Sequence, residues 1–179
     1  MKHSLNITGK SKKIAGILII LFLIILDQAT KYLAVAHLKD SPAFELIPNV
    51  FELYYLENQG AAFGMLPNQK FFFIFVGVVI LCAAGYVLLK LPDHKKYTIL
   101  HFLFSLLVAG SIGNMIDRVR YDYVVDFIYF VRINFPIFNV ADIYATFSAL
   151  ALIIMLLFVY EETDLYFISF KQKKYRKYQ

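Results

Sequence analysis

Cysteine occurs only once in these 179 residues, at Cys82. That excludes an intrachain disulfide and leaves no cysteine partner for a metal site. Charge is missing from long tracts: residues 71–89, 98–116 and 143–160 hold no Asp, Glu, Lys or Arg. A fourth tract, residues 14–36, is broken only by Asp27, Lys31 and neutral polar side chains. No inverted repeat is visible, which weighs against a repeat-built transporter. What remains is apolar. With 60% hydrophobic residues, 17% aromatics and a mean hydropathy of +0.62, a chain of this length cannot hide its apolar surface in a water-soluble globule.

At about 1.5 Å rise per residue, each tract covers roughly the 30 Å hydrocarbon core of a bilayer. The sequence therefore predicts an all-α membrane protein, a single integral domain over residues 1–179 with transmembrane helices at 14–36, 71–89, 98–118 and 139–160. Residues 37–70 and 119–138 form the outer loops. Cys82 lies inside the second span, where a thiol stays protonated and reads as a small packing residue.

Twelve of the eighteen Lys and Arg residues lie before the first span, between the second and third, and after the fourth. The positive-inside rule then puts both termini in the cytoplasm and the two longer loops outside. The basic tail from Lys171 to Lys177, interleaved with Tyr166, Phe167, Phe170, Tyr175 and Tyr178, is expected to rest on anionic headgroups of membrane lipids and not on nucleic acid. The basic start and apolar run at residues 14–26 imitate a secretory signal. Asp27 and Lys31, which follow at once, argue that this segment is retained as a helix.

Between the first two spans, residues 43–47 and 50–56 read as extended pieces around the turn pair Pro48-Asn49. Residues 123–133, rich in β-branched and aromatic side chains, are suited to the same layer. The expectation is a small extracytoplasmic β-rich cap, a cradle over the helix ends.

A charge near lipid costs about 3 kcal/mol on insertion scales, so an acid in or beside a span is a functional candidate. Asp27 and Lys31, at i and i+4 with the acid first, are set for an ion pair that fastens the first helix. Gly110, Gly113, Asn114 and Asp117 share one face of the third helix, with Arg118 next to them. The small residues allow close helix contact and the polar ones bond across it. Because the third helix runs outward and the fourth inward, Asp126 and Asp142 converge on one outer interface. Two neighbouring carboxylates do not readily both ionise, so one keeps a proton while the other takes one from water. That is acid–base chemistry for peptide hydrolysis without metal or cofactor. The pair titrates as a unit, and either member can be the base.

Five segments carry a family resemblance: Asp-Gln-Ala-Thr-Lys at 27–31, Asn-Gln-Gly-Ala-Ala-Phe-Gly at 58–64, Gly-Asn-Met-Ile-Asp-Arg at 113–118, Val-Val-Asp-Phe-Ile at 124–128 and Phe-Asn-Val-Ala-Asp at 138–142. Together they resemble the ordered motifs of lipoprotein signal peptidase, or signal peptidase II. The resemblance implies a bacterial inner-membrane aspartic endopeptidase that cuts prolipoproteins N-terminal to a diacylglyceryl-modified cysteine and is sensitive to globomycin. It implies Asp126 and Asp142 as the catalytic pair. Substrate-binding or supporting positions would be Asn58, Gly60, Asn114, Asp117, Arg118, Asn139, Asp27 and Lys31, with diacylglyceryl-modified prolipoproteins as partners and a monomeric protein. Read from its own chemistry, the 58–64 segment has small residues that let a peptide approach and Asn58 to hydrogen-bond it. Phe63, Phe127 and Phe138 are apolar candidates for walls without assigned roles. Two positions depart from the family pattern: Asp122 stands where glycine is common, and Ile143 follows Asp142 where serine is frequent. The competing classes are a small transporter or channel subunit and a noncatalytic membrane scaffold.

Overall fold

The structure, a computed structural model, describes residues 5–60 and 69–168, with side chains from Ile14 onward. The segment 61–64 with Phe63, the lysine side chains before Ile14 and the basic tail lie outside the described residues. The chain runs α1 (Leu5–Leu38), β1 (Phe44–Ile47), β2 (Phe51–Asn58), α2 (Lys70–Lys90), α3 (Thr98–Tyr121), β3 (Val124–Tyr129) and α4 (Val140–Phe158). Among the described residues four helices are long and apolar enough to cross a membrane. Large apolar side chains such as Phe22, Phe71, Phe75 and Leu157 point outward from them. In water that surface would be ruinous; in hydrocarbon it is solvated.

The third helix is central. It packs against α1, α2 and α4 and buries Leu100, Leu103, Leu106, Ala109, Gly110 and Gly113. Gly110 has a packing reason: a Cβ there would stand 2.5 Å from the carbonyl oxygen of Ala141, so α4 approaches as closely as it does only because that side chain is missing. At the end of the bundle away from the sheet, Tyr97, Leu100, Leu103, Leu152, Tyr160 and Phe167 form the main apolar core.

The strands form one antiparallel sheet in the order β1-β2-β3. Asn49 turns the hairpin with φ 58°, a left-handed conformation that asparagine tolerates. The β2–β3 register, shifted between Leu53 and Leu56, pairs Leu56 with Asp126 and Asn58 with Val124. Phe138 extends the sheet by an isolated bridge to Ile128. Val125 and Phe127 point down onto Ala34 of α1, fixing the sheet to the bundle.

The extended third piece is shorter than the 123–133 reading: β3 ends at Tyr129, and Val131–Ile133 is a 3-10 turn. Cys82 is a second correction. It faces outward from α2 and packs no interior; a hydropathy run carries no sign of which helical face meets lipid. Asp122 caps α3 at φ 70°, the left-handed geometry that explains why glycine suits this position. Its carboxylate pairs with Lys70.

Candidate active site

Buried polar side chains gather where α1, α3 and α4 meet the sheet. Asp27, Lys31, Asp117, Asp126 and Asn139 are all nearly inaccessible. Lys31 uses each of its three ammonium donors: Asp27 Oδ2 at 3.1 Å, Asp117 Oδ2 at 3.0 Å and Asn114 Oδ1 at 3.0 Å. Asp27 also takes the backbone N–H of Ala141 at 2.9 Å, and Asp117 that of Val125 at 3.1 Å. One ammonium and two carboxylates thus tie the first helix to the third, to the start of the fourth and to β3. Buried charge survives only when paired and hydrogen-bonded in this way.

The second layer begins with two carboxamides. Asn114 Nδ2 donates to Asp142 Oδ1 at 2.7 Å while its Oδ1 receives Lys31. Asn139 Nδ2 donates to Asp126 Oδ1 at 2.6 Å and to Asn114 Oδ1 at 3.1 Å. Asp126 is held on its other oxygen by Asn58 Nδ2 at 2.8 Å. Asn139 is the N-cap of α4, not a residue within the helix. Its Oδ1 takes the N–H of Asp142 at 3.0 Å, and Asp142 Oδ2 takes the N–H of Asn139 at 3.1 Å. This reciprocal capping box fixes the carboxyl of Asp142 against the helix start. Both aspartates are therefore oriented by groups that are themselves anchored.

Asp126 and Asp142 open on one groove of about 760 Å³, whose lining includes Asn58, Gly60, Phe73, Asn114 and Arg118. Burial, and next the charge of Asp142, push the Asp126 carboxyl up to about 7, against the opposing hydrogen bonds from Asn58 and Asn139. Arg118 donates to the Gly60 carbonyl at 3.3 Å and lies 5.0 Å from the centre of the Phe73 ring. It braces the end of the β2 segment against the head of α2. From the aspartates the groove continues along Ile143, Phe147 and Leu150, an outward apolar stripe on α4.

The ten singled-out residues are brought together, but not all as the sequence suggested. Asn58 spends its amide on Asp126, and its Oδ1 accepts the Gly60 N–H at 2.9 Å, so it contacts the carboxylate and not only a passing peptide. Phe127 belongs to the core under the sheet, whereas Phe138 lines the groove. Gln28 was missed as an individual residue: its amide reaches Asp27 at 3.1 Å, Asp117 at 3.0 Å and the Gly113 carbonyl at 3.3 Å. Its position beside Asp27, within the Asp-Gln-Ala-Thr-Lys segment, was the available signal.

Gly113 gives a test of this packing. A Cβ there would stand 2.5 Å from Asp27 Oδ2, so Gly113→Ala must displace a carboxylate that holds the start of α4. Thermal unfolding in detergent should show a loss of about 1–3 kcal/mol. Gly16→Ala, where an added Cβ meets nothing within 4 Å, should leave the midpoint unchanged or slightly higher.

Four apolar helices, a small sheet over one end and a polar centre of carboxylates and carboxamides define a multi-pass membrane enzyme. A solved structure of a bacterial membrane enzyme matches it with a TM-score of 0.68 at 38% identity, covering 82% of this chain and 94% of that one. A family model described as Signal peptidase (SPase) II matches residues 19–158. A lipoprotein signal peptidase of Caldanaerobacter subterraneus subsp. tengcongensis is 43% identical over 144 residues, 80% of this chain and 96% of the relative. One of Streptococcus thermophilus is 44% identical over 145 residues, 81% and 94% of the two chains. The chain belongs to the signal peptidase II family, aspartic-type peptidases that cleave signal peptides from prolipoproteins.

Proposed function

We propose that Asp126 and Asp142 are the catalytic carboxylates of this peptidase, and that the bond cut lies just N-terminal to a diacylglyceryl-modified cysteine. The observation that carries the reading is two carboxylates held by the linked carboxamides of Asn114 and Asn139 at the mouth of one groove. The ionised member takes a proton from water, and the oxygen attacks the scissile carbonyl. The protonated member hydrogen-bonds the carbonyl oxygen, and a proton then passes to the leaving nitrogen. Asn58, Asn114 and Asn139 orient the pair, while Asp27, Lys31 and Asp117 anchor its supports and Arg118 steadies the groove at Gly60. The apolar stripe of Ile143, Phe147 and Leu150 suits acyl chains and a signal helix that stay in the bilayer while the scissile bond meets the carboxylates.

The bacterial relatives support a cell membrane location, and the distribution of lysine and arginine supports both termini cytoplasmic with the sheet as an outer cradle. The carboxylates, carboxamides and ammonium of the site satisfy one another within one chain, which supports a reading of the enzyme as a monomer among membrane lipids. The direct test is cleavage by the purified protein of a prolipoprotein with and without its diacylglyceryl group. Cleavage of the modified substrate alone is expected; equal cleavage of both would remove the lipid from the recognition step.

Because one carboxyl of the pair must keep its proton, activity should fall as pH rises through the pair's upper ionisation, which burial and the neighbouring charge lift above the usual carboxylate range. The Asn58 hydrogen bond favours the ionised form of Asp126 and so lowers its proton affinity. Removing it in Asn58→Ala should move the alkaline limb of the kcat profile to higher pH while lowering the maximum. An unmoved limb would detach Asn58 from the titrating group.

A further inference from the structure

At the end of the bundle away from the carboxylates, α1 and α2 both pack on α3 and leave a cleft of about 1010 Å³ between them. This is at the upper end of the size of small-molecule sites. Its walls are apolar, with Ile17 and Ile20 on one side and Leu81 and Leu88 on the other. Gly16 and Gly85 line it too, and a Cβ added at either would meet nothing within 4 Å. The small residues here therefore do not serve helix contact, unlike Gly110 and Gly113; they widen the cleft.

Its cations are at one end. Lys95 and Lys96 stand at the mouth, with Lys96 Nζ also 2.6 Å from Asp164 Oδ1. From Thr98 to Val108, both lining residues of α3, the helix descends about 15 Å, the depth of hydrocarbon in one leaflet. A peptide would leave backbone polar groups unsatisfied against such walls, whereas a chain with one anionic head would match both halves.

We propose that this cleft is a binding site for an anionic phospholipid, its phosphate on Lys95 and Lys96 and an acyl chain between α1 and α2. The site is separate from the carboxylate groove and does not depend on the peptidase mechanism.

The chain contains no tryptophan, so a single one reports locally. The full-length Leu81→Trp protein, in bilayers of phosphatidylcholine, would be titrated with dibrominated phosphatidylglycerol or dibrominated phosphatidylcholine, and its fluorescence quenching followed. Phe158→Trp, at an outward position on α4, is the control. Half-quenching of Leu81→Trp is expected at an about fivefold lower mole fraction of the anionic lipid, with no preference at position 158. Adding Lys95→Gln should bring the preference below about twofold, and Gly85→Leu, which fills the cleft, should abolish it. Equal quenching of Leu81→Trp by both lipids would make the cleft ordinary lipid-facing surface. No quenching by either would mean that protein covers it, whether a second copy or the basic segment beyond Ile168. Either result would overturn the proposal, as would a preference that survives both Lys95→Gln and Gly85→Leu.

Discussion

Replacing Asp126 or Asp142 with asparagine is expected to lower the rate of prolipoprotein cleavage at least about a thousandfold while leaving the protein folded. The volume is kept, so no cavity forms. At position 126 the new carboxamide oxygen can still accept from Asn58 or Asn139, the two donors that hold the aspartate now. At position 142 the helix start keeps the Asn139 side chain on the residue 142 N–H. What each substitution removes is a group able to exchange a proton with water and with the leaving nitrogen. Since the two carboxyls work as one acid–base pair, the double variant should be no slower than the worse single one, the non-additivity expected of a unit. The measurement is a single-turnover assay on diacylglyceryl-modified substrate, with unfolding midpoints for all four proteins. A folded single variant within tenfold of the wild-type rate would move the chemistry away from this pair and favour a scaffold role for it.

Much of the architecture was legible because membrane burial writes itself into composition. Apolar tracts of spanning length, three of them uncharged, predicted four helices, and Pro48-Asn49 between β-rich runs predicted the hairpin; both agree with the observed fold. The polar face of the third helix was also readable from spacing, since Gly110, Gly113, Asn114 and Asp117 must share a side. What spacing did not contain was the partner of each group. Gln28 and Asp117 are 89 positions apart and Asp27 and Ala141 114 apart, and no local pattern encodes bonds between helices that meet only in the folded state. The passage from the Phe138 bridge to the Asn139 cap was hidden for a related reason. An Asn and an Asp three apart can share a helical face or close a capping box, and the choice depends on where the sheet releases the chain into α4. The outward side of Cys82 was illegible because residues 71–89 of α2 carry no charged side chain to mark one face.

Lys31→Met should destabilise the fold by about 3–5 kcal/mol, the usual result of removing one partner from a buried ion pair. The thioether keeps the length of the side chain, so the effect isolates the charge. Asp27 Oδ2, Asp117 Oδ2 and Asn114 Oδ1 would all lose the ammonium, leaving two carboxylates together in the interior with backbone N–H groups and Gln28 as their remaining donors. Unfolding by heat in detergent would measure the loss. Adding Asp117→Asn should recover part of it, because one of the two uncompensated charges is then gone while the bond to the Val125 N–H can persist. That partial rescue separates electrostatics from packing, since a packing defect at position 31 would be worsened by a second substitution. The same variants also distinguish support from chemistry. Lys31 touches Asp142 only through Asn114, but its charge also favours the ionised form of Asp126, so folded Lys31→Met should move the alkaline limb of the pH profile to higher pH and lose less turnover than either aspartate variant. A stable but inactive Lys31→Met would instead place the ammonium among the reacting groups.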